Sequence, residues 1–182
     1  MKPTAYRWNG ILATALCLLA VLAAGCLVPE YGVGRDIMVF KVDAGGTEQW
    51  QTVIDTGGDD IATSMIQTAD GGFLIGGDVR PWREDQSYGV FKIDGNGSAV
   101  WNATGRGDPV VAVAETAGGT VVAVGKSGVL LLNPAGNILD GDVEADGTLQ
   151  SVLETADGGV VVAGTDGGDL LVFKRDRNLT EE

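Results

Sequence analysis

Histidine is absent from this 182-residue sequence, and that closes several chemistries at once. Without imidazole there is no Ser–His or Cys–His nucleophile pair and no zinc site of the usual His/Cys kind. The two cysteines, Cys17 and Cys26, both lie near the N-terminus, so the remainder has no thiol for a disulfide or a thiolate metal site. Basic residues are scarce: Lys+Arg number 12 against 25 Asp+Glu, a net charge of −13. Lys2 and Arg7 both precede the first acidic residue, Glu30, so the rest of the chain is more acidic still. Such a surface repels phosphates and anionic headgroups, which argues against a nucleic-acid partner. Beyond residue 36 no segment has convincing helical periodicity.

What is present begins with a leader. Ile11 to Ala24 is an unbroken run of small and aliphatic residues, and it ends in Leu22-Ala23-Ala24-Gly25-Cys26. A basic start, an apolar core and small residues before a cleavage point predict a secretory signal. The Cys directly after Ala-Ala-Gly resembles the lipobox of lipoproteins, with Ala23 where Leu is commoner. The resemblance implies cleavage before Cys26, lipid on its thiol, and a membrane anchor on the extracytoplasmic face of the cell envelope. Two alternatives stay open: release after cleavage, or retention of Ile11–Val28 as an apolar anchor helix barely long enough to span a bilayer. The expected layout is a signal over 1–26, a tether over 27–36, repeats over 37–176 and a tail over 177–182.

The repeats come in two motifs. Phe40-Lys41-Val42-Asp43-Ala44-Gly45-Gly46 runs on to Trp50, and Phe91-Lys92-Ile93-Asp94-Gly95-Asn96-Gly97 runs on to Trp101. Leu131-Leu132-Asn133-Pro134-Ala135-Gly136 is a degenerate copy without the Trp, and Phe173-Lys174-Arg175-Asp176 begins a fourth. Between them a second motif starts at Thr68, Thr116 and Thr155 and runs through two glycines into an apolar stretch, at spacings of 48 and 39 residues. Glycine-rich turns between runs of Val, Ile, Phe and Thr predict tight hairpins. Gly72, Gly119 and Gly159 are assigned the positive-φ position of those hairpins. Apolar runs such as Val121–Val124 and Val160–Ala163 predict strands covered on both faces, as in stacked sheets.

A period near 40 to 50 residues with this much glycine is that of propeller blades. The Thr-x-Asp-Gly-Gly strand followed by Phe-Lys-x-Asp-x-x-Gly-x-x-x-Trp resembles repeats of secreted archaeal and bacterial β-propellers. It is also similar to pyrroloquinoline-quinone-type propeller repeats, where the Trp packs between blades. The resemblance covers residues 36–176 and implies an all-β fold; no quinone or metal ligand set of such enzymes matches. Strands are expected at 37–42, 47–53, 61–67, 72–77, 88–93, 98–103, 110–116, 120–125, 128–132, 137–142, 148–154, 159–164 and 169–175. They make about three and a quarter blades, fewer than the four to eight of closed propellers. The expectation is an open arc in which 169–175 does not pair with 37–53, with a homodimer completing a six- or seven-bladed ring as the alternative native state.

Candidate sites are few. The insertion Arg80-Pro81-Trp82-Arg83-Glu84-Asp85-Gln86 lengthens one repeat, and an aromatic between arginines on a loop is typical of binding hot spots; Arg80, Trp82 and Arg83 form the candidate binding loop. Asp142, Glu144 and Asp146 alternate before Gly147 as in calcium loops, but Leu153 stands where the bidentate Glu belongs. Calcium is thus the one candidate cofactor, and a solvated acidic turn the plainer reading there and at Asp55–Asp60. Asn96, Asn102 and Asn178 head glycosylation acceptor triplets. Arg106-Gly107-Asp108 matches an adhesion tripeptide and reads as an accident of composition. Trp50 and Trp101, alike in repeat position, read as inter-blade packing rather than a sugar platform. The sequence therefore points to a binding or scaffold module with a protein or glycan partner at the cell surface. The rivals are a glycan hydrolase or lyase working through carboxylates, or a remnant of a larger propeller without independent function.

Overall fold

A computed structural model of the chain describes residues 34–81, 87–144 and 147–176. The leader with Cys26, the loop residues Trp82 and Arg83, Asp146, Asn178 and the tail lie outside them, as do the side chains of Asp142 and Glu144.

Among the described residues all regular structure is β. Thirteen strands follow one another: β1 (Ile37–Val42), β2 (Glu48–Ile54), β3 (Gly58–Gln67), β4 (Phe73–Pro81), β5 (Ser87–Ile93), β6 (Ala99–Arg106), β7 (Ala112–Glu115), β8 (Val121–Val124), β9 (Gly128–Leu132), β10 (Ile138–Glu144), β11 (Thr148–Glu154), β12 (Val160–Asp166) and β13 (Asp169–Arg175). They form four antiparallel sheets in chain order: β1–β2, then β3–β4–β5–β6, then β7–β8–β9–β10, then β11–β12–β13. Each of the thirteen expected strands is present. β1 and β13 belong to different sheets, and β13 bonds to β12, so the arc stays open as expected.

Six hairpins share one turn. In each, the N–H three residues on donates back to the carbonyl of the turn's first residue, at Asp43–Gly46, Thr68–Gly71, Asp94–Gly97, Thr116–Gly119, Asn133–Gly136 and Thr155–Gly158. The glycine at the fourth place has φ between 79° and 84° in all six, as a type I turn with a following left-handed residue requires. This corrects the expected register: Gly71 and Gly158, not Gly72 and Gly159, carry positive φ, while Gly119 does so as expected. Gly72 is glycine for a different reason. A Cβ there would stand 2.5 Å from the Ile93 carbonyl oxygen across the hairpin.

The sheets hold together through three apolar layers between neighbours. Ile37 and Val39 of β1 pack on Ile75, Val79, Phe91 and Ile93. Leu74 and Val90 pack on Val113, Val121, Ala123 and Leu132. Val122, Val124 and Leu131 pack on Leu149, Val152, Val160 and Val162. The middle strand β8 is buried at every position, whereas β12 alternates between buried and half-buried. Covered on both faces was the expectation for both; among the described residues no sheet lies on the far side of β12. Each such buried Val or Leu contributes about 1.5–3 kcal/mol by leaving water, so the layers rather than the turns dominate stability.

Candidate functional site

The antiparallel order places Arg80, the acidic segment Asp55–Asp60 and Asp108 at one end of the sheets. Cross-strand pairs Gly58↔Pro81 and Val79↔Ser87, with Ser87↔Arg106, gather the start of β3, the end of β4, the start of β5 and the end of β6. The shared hairpin turns lie at the opposite end.

At the turn end the tryptophans join consecutive sheets. Trp50 Nε1 donates to the Gly95 carbonyl at 3.0 Å, and Trp101 Nε1 donates to the Pro134 carbonyl at 3.0 Å. Their rings lie against Gly97 and Gly136, where a Cβ would come within 2.7 and 2.5 Å of the indoles. Both tryptophans are therefore packing residues. Glu115 and Glu154 add a second clasp by accepting from Ala69 N at 2.8 Å and Ala117 N at 2.5 Å of the preceding sheet.

The sequence reading missed a polar cluster at this end. Lys92 Nζ lies 2.7 Å from Asp70 Oδ1 and also donates to Thr68 Oγ1. The Lys92 side chain is only 8% exposed, that of Asp70 66%. Lys174 and Asp157 repeat the pair at 2.5 Å in the last sheet. The signal was in the repeats: where the third sheet has Gly118 in place of Asp, it has Leu131 in place of Lys, so both partners vanish together.

At the loop end Arg80 is not a loop residue. It lies in β4 opposite Asp59, and its Nε and Nη2 donate to Asp78 Oδ2 at 3.1 and 2.7 Å. The strand runs on to Pro81 because polar residues pair as far as Gly58, which also shortens the expected acidic loop to Asp55-Thr56-Gly57. Arg35 N donates to Asp59 Oδ1 at 3.0 Å, and its guanidinium reaches Asp59 Oδ2 at 3.4 Å. These bonds, the backbone one first, hold the Asp59 carboxyl below the usual carboxylate range.

Asp36, Asp55 and Asp60 bring carboxylate oxygens within 4.8 Å of one another. Two of the three are already committed. Asp60, almost fully buried, accepts from Thr56 N at 2.7 Å and Thr56 Oγ1 at 2.6 Å, and Asp55 accepts from Gly57 N at 2.7 Å. The cluster caps the loop. Asp108 is likewise engaged, accepting from Ser127 N at 2.9 Å and Ser127 Oγ at 2.5 Å, so its carboxylate fastens one loop to the next. Asn96 sits exposed in the β5–β6 turn, its own N–H donating to Asp94. Asn102 is exposed on β6 and lines a cleft of about 370 Å³ with Val53, Asp55, Trp101 and Thr104. Chemically, the loop end offers ion-paired and hydrogen-bonding groups suited to recognition.

No sequence-family profile matches this chain, and no curated protein does. Solved structures do. A crystal structure of a protein of unknown function from Bacteroides caccae superposes with a TM-score of 0.54 at 16% identity, over 75% of this chain and 53% of that one. The WD40 domain of Neurospora crassa Pan2 superposes with a TM-score of 0.58 at 16% identity, over 80% of this chain and 45% of that one. This chain thus spans about half the length of the structures it resembles. At that identity the likeness shows the fold alone: all-β, of propeller type.

Proposed function

We propose that this chain is a non-catalytic binding or scaffold module, carried on the extracytoplasmic face of the membrane by lipid on Cys26. The observation that carries the reading is the loop end, where paired charges on rigid strands present a recognition surface. Its partner is a protein or glycan at the cell surface, met by Arg80 together with Trp82 and Arg83. Acidic surface charge disfavours nucleic acid. A glycan-cleaving carboxylic acid needs its proton held above the usual range; Asp59, Asp70 and Asp157 are shifted downward by donors beside them, so none of these three fits that role.

Two measurements test this. In the full-length chain, Cys26→Ser should abolish incorporation of an alkyne fatty acid and release the protein from the membrane fraction; labelling equal to the parent removes the anchor. The purified protein on a glycan array and against surface proteins should bind without releasing reducing ends. Binding should weaken at least tenfold in Trp82→Ala/Arg83→Ala and persist in Asn96→Ala at the opposite end. Reducing-end release that a single Asp→Asn change abolishes would establish the hydrolase instead.

A further inference from the structure

The two terminal sheets each turn an apolar face to solvent, and these faces are the two halves of the contact that repeats inside the chain. Register makes the equivalence explicit. Phe73 pairs with Ile93 in the second sheet as Val160 pairs with Arg175 in the fourth. Val172 therefore stands where Val90 stands, Leu170 where Tyr88 stands, and Leu153 of β11 where Ile66 stands. Val90 is fully buried beneath the third sheet, while Val172 is 55% and Leu170 80% exposed. At the other end the repeat motif puts Phe40 in the place of Phe91. Phe91 is buried beneath β1, while Phe40 is 60% exposed, with Met38 and Val42 exposed on the same side of β1 and Val53 on β2.

We propose that these faces meet between two copies of this chain, head to tail, the β11–β13 face of each copy covering the β1–β2 face of the other. Three internal junctions already join a forward face of the one kind to a rear face of the other. A second copy continues that series without new chemistry, and the chain carries both halves. A single contact lying on a two-fold axis would instead press like face on like face, a pairing the fold nowhere makes. Heterologous contacts close into a ring or run on as a filament according to their rotation. Here each junction repeats the rotation between blades, and two four-sheet arcs give about eight sheets, within the range of closed propellers. Among the described residues the first sheet offers β1 and β2 alone, so each junction between these strands and the last sheet is smaller than an internal one. Net negative charge opposes assembly at long range, and salt screens that repulsion.

The full-length protein in detergent, examined by native mass spectrometry and light scattering at up to about 0.1 mM, tests this at concentrations that populate micromolar complexes. The parent should be a dimer, more so at high salt. Phe40→Lys and Val172→Lys should each be monomeric, with Leu170→Lys as a second variant of the same face; all three sites are solvent-exposed, and unchanged melting temperatures verify folding. Mixing Phe40→Lys with Val172→Lys leaves one unaltered junction and should restore a dimer, weaker than the parent. A monomeric parent overturns the proposal. So does a mixture that stays monomeric while the parent dimerises, and so does a Phe40→Lys or Val172→Lys variant that still dimerises alone, because that pattern belongs to pairing of like face on like face.

Discussion

Replacing Asp70 by Asn removes one charge from the pair beneath the first full hairpin, and the two partners should respond unequally. Lys92 is nearly enclosed; Asp70 is two-thirds exposed. At their 2.7 Å separation, Coulomb's law gives about 1.5 kcal/mol in water and about 6 kcal/mol at an effective dielectric constant of 20. The exposure of Asp70 selects the lower end, so Asp70→Asn should cost about 2 kcal/mol by leaving an enclosed ammonium with Thr68 as its protein acceptor. Lys92→Leu takes the enclosed charge away altogether and frees a carboxylate that water reaches. It should fall within about 1 kcal/mol of the parent, in either direction, as the natural Leu131 in the neighbouring blade suggests. The double variant should match Lys92→Leu to within about 0.5 kcal/mol, a coupling far from additivity. Urea unfolding followed by the fluorescence of the inter-blade tryptophans measures all four proteins. Equal costs for the two single variants, or additive costs, would show that burial asymmetry does not govern this pair.

The Asp70 carboxyl lies well below the usual carboxylate range, held there first by Lys92, then by Thr68 and Gly72 N. A folded value below the unfolded one stabilises fully above about pH 4 and loses that contribution as pH falls further. Asp70→Asn should therefore lose less stability than the parent on acidification; parallel pH profiles would count against the pair. Gly72→Ala should destabilise more than Gly71→Ala, because the first meets the Ile93 carbonyl and the Lys92 ammonium, while the second has open space and incurs only the left-handed backbone, about 1 kcal/mol. The opposite order of melting temperatures would contradict the turn register. Trp101→Phe should cost about 1 kcal/mol through loss of the Pro134 bond, and Trp101→Ala about 3 kcal/mol or more; a melting temperature unchanged in both would remove the clasp.

The strands were legible because apolar runs and glycine turns alternate at a fixed period, and stacked sheets need both. Their polar extensions were not. Asp59 and Arg80 stand opposite each other at the sheet end, with ion pairs to Arg35 and to Asp78 respectively, and hydrophobic pattern carries no trace of that. Adjacent glycines hid which one bends the chain, since one is required by φ and the other by close approach. Thr120, a side-chain residue standing opposite Gly72 and Gly159 in the repeat, held the answer, for it marks the place where φ stays ordinary. The Lys–Asp pairs were readable only by comparing copies, through the joint loss at Gly118 and Leu131. Of the candidate binding residues, Arg80 was placed on the wrong element because the inserted Pro81 reads as a loop signal.

The side-chain clasps between blades also set how the protein yields to force. Trp50 reaches 45 residues ahead, Trp101 33, Ala69 to Glu115 46, and Ala117 to Glu154 37. Each of these ties is about one repeat long, and each fastens a blade to its immediate successor, the arrangement of a quasi-one-dimensional array. Among the described residues no strand of the first sheet bonds to the last, so pulling on the two ends of the array meets these ties one at a time. It should extend in a sawtooth, one blade per tooth, each releasing 39 to 48 residues, or roughly 130–170 Å of contour at the reach of an extended backbone. An arc built this way surrenders its outermost blade under load while the inner blades keep their shape.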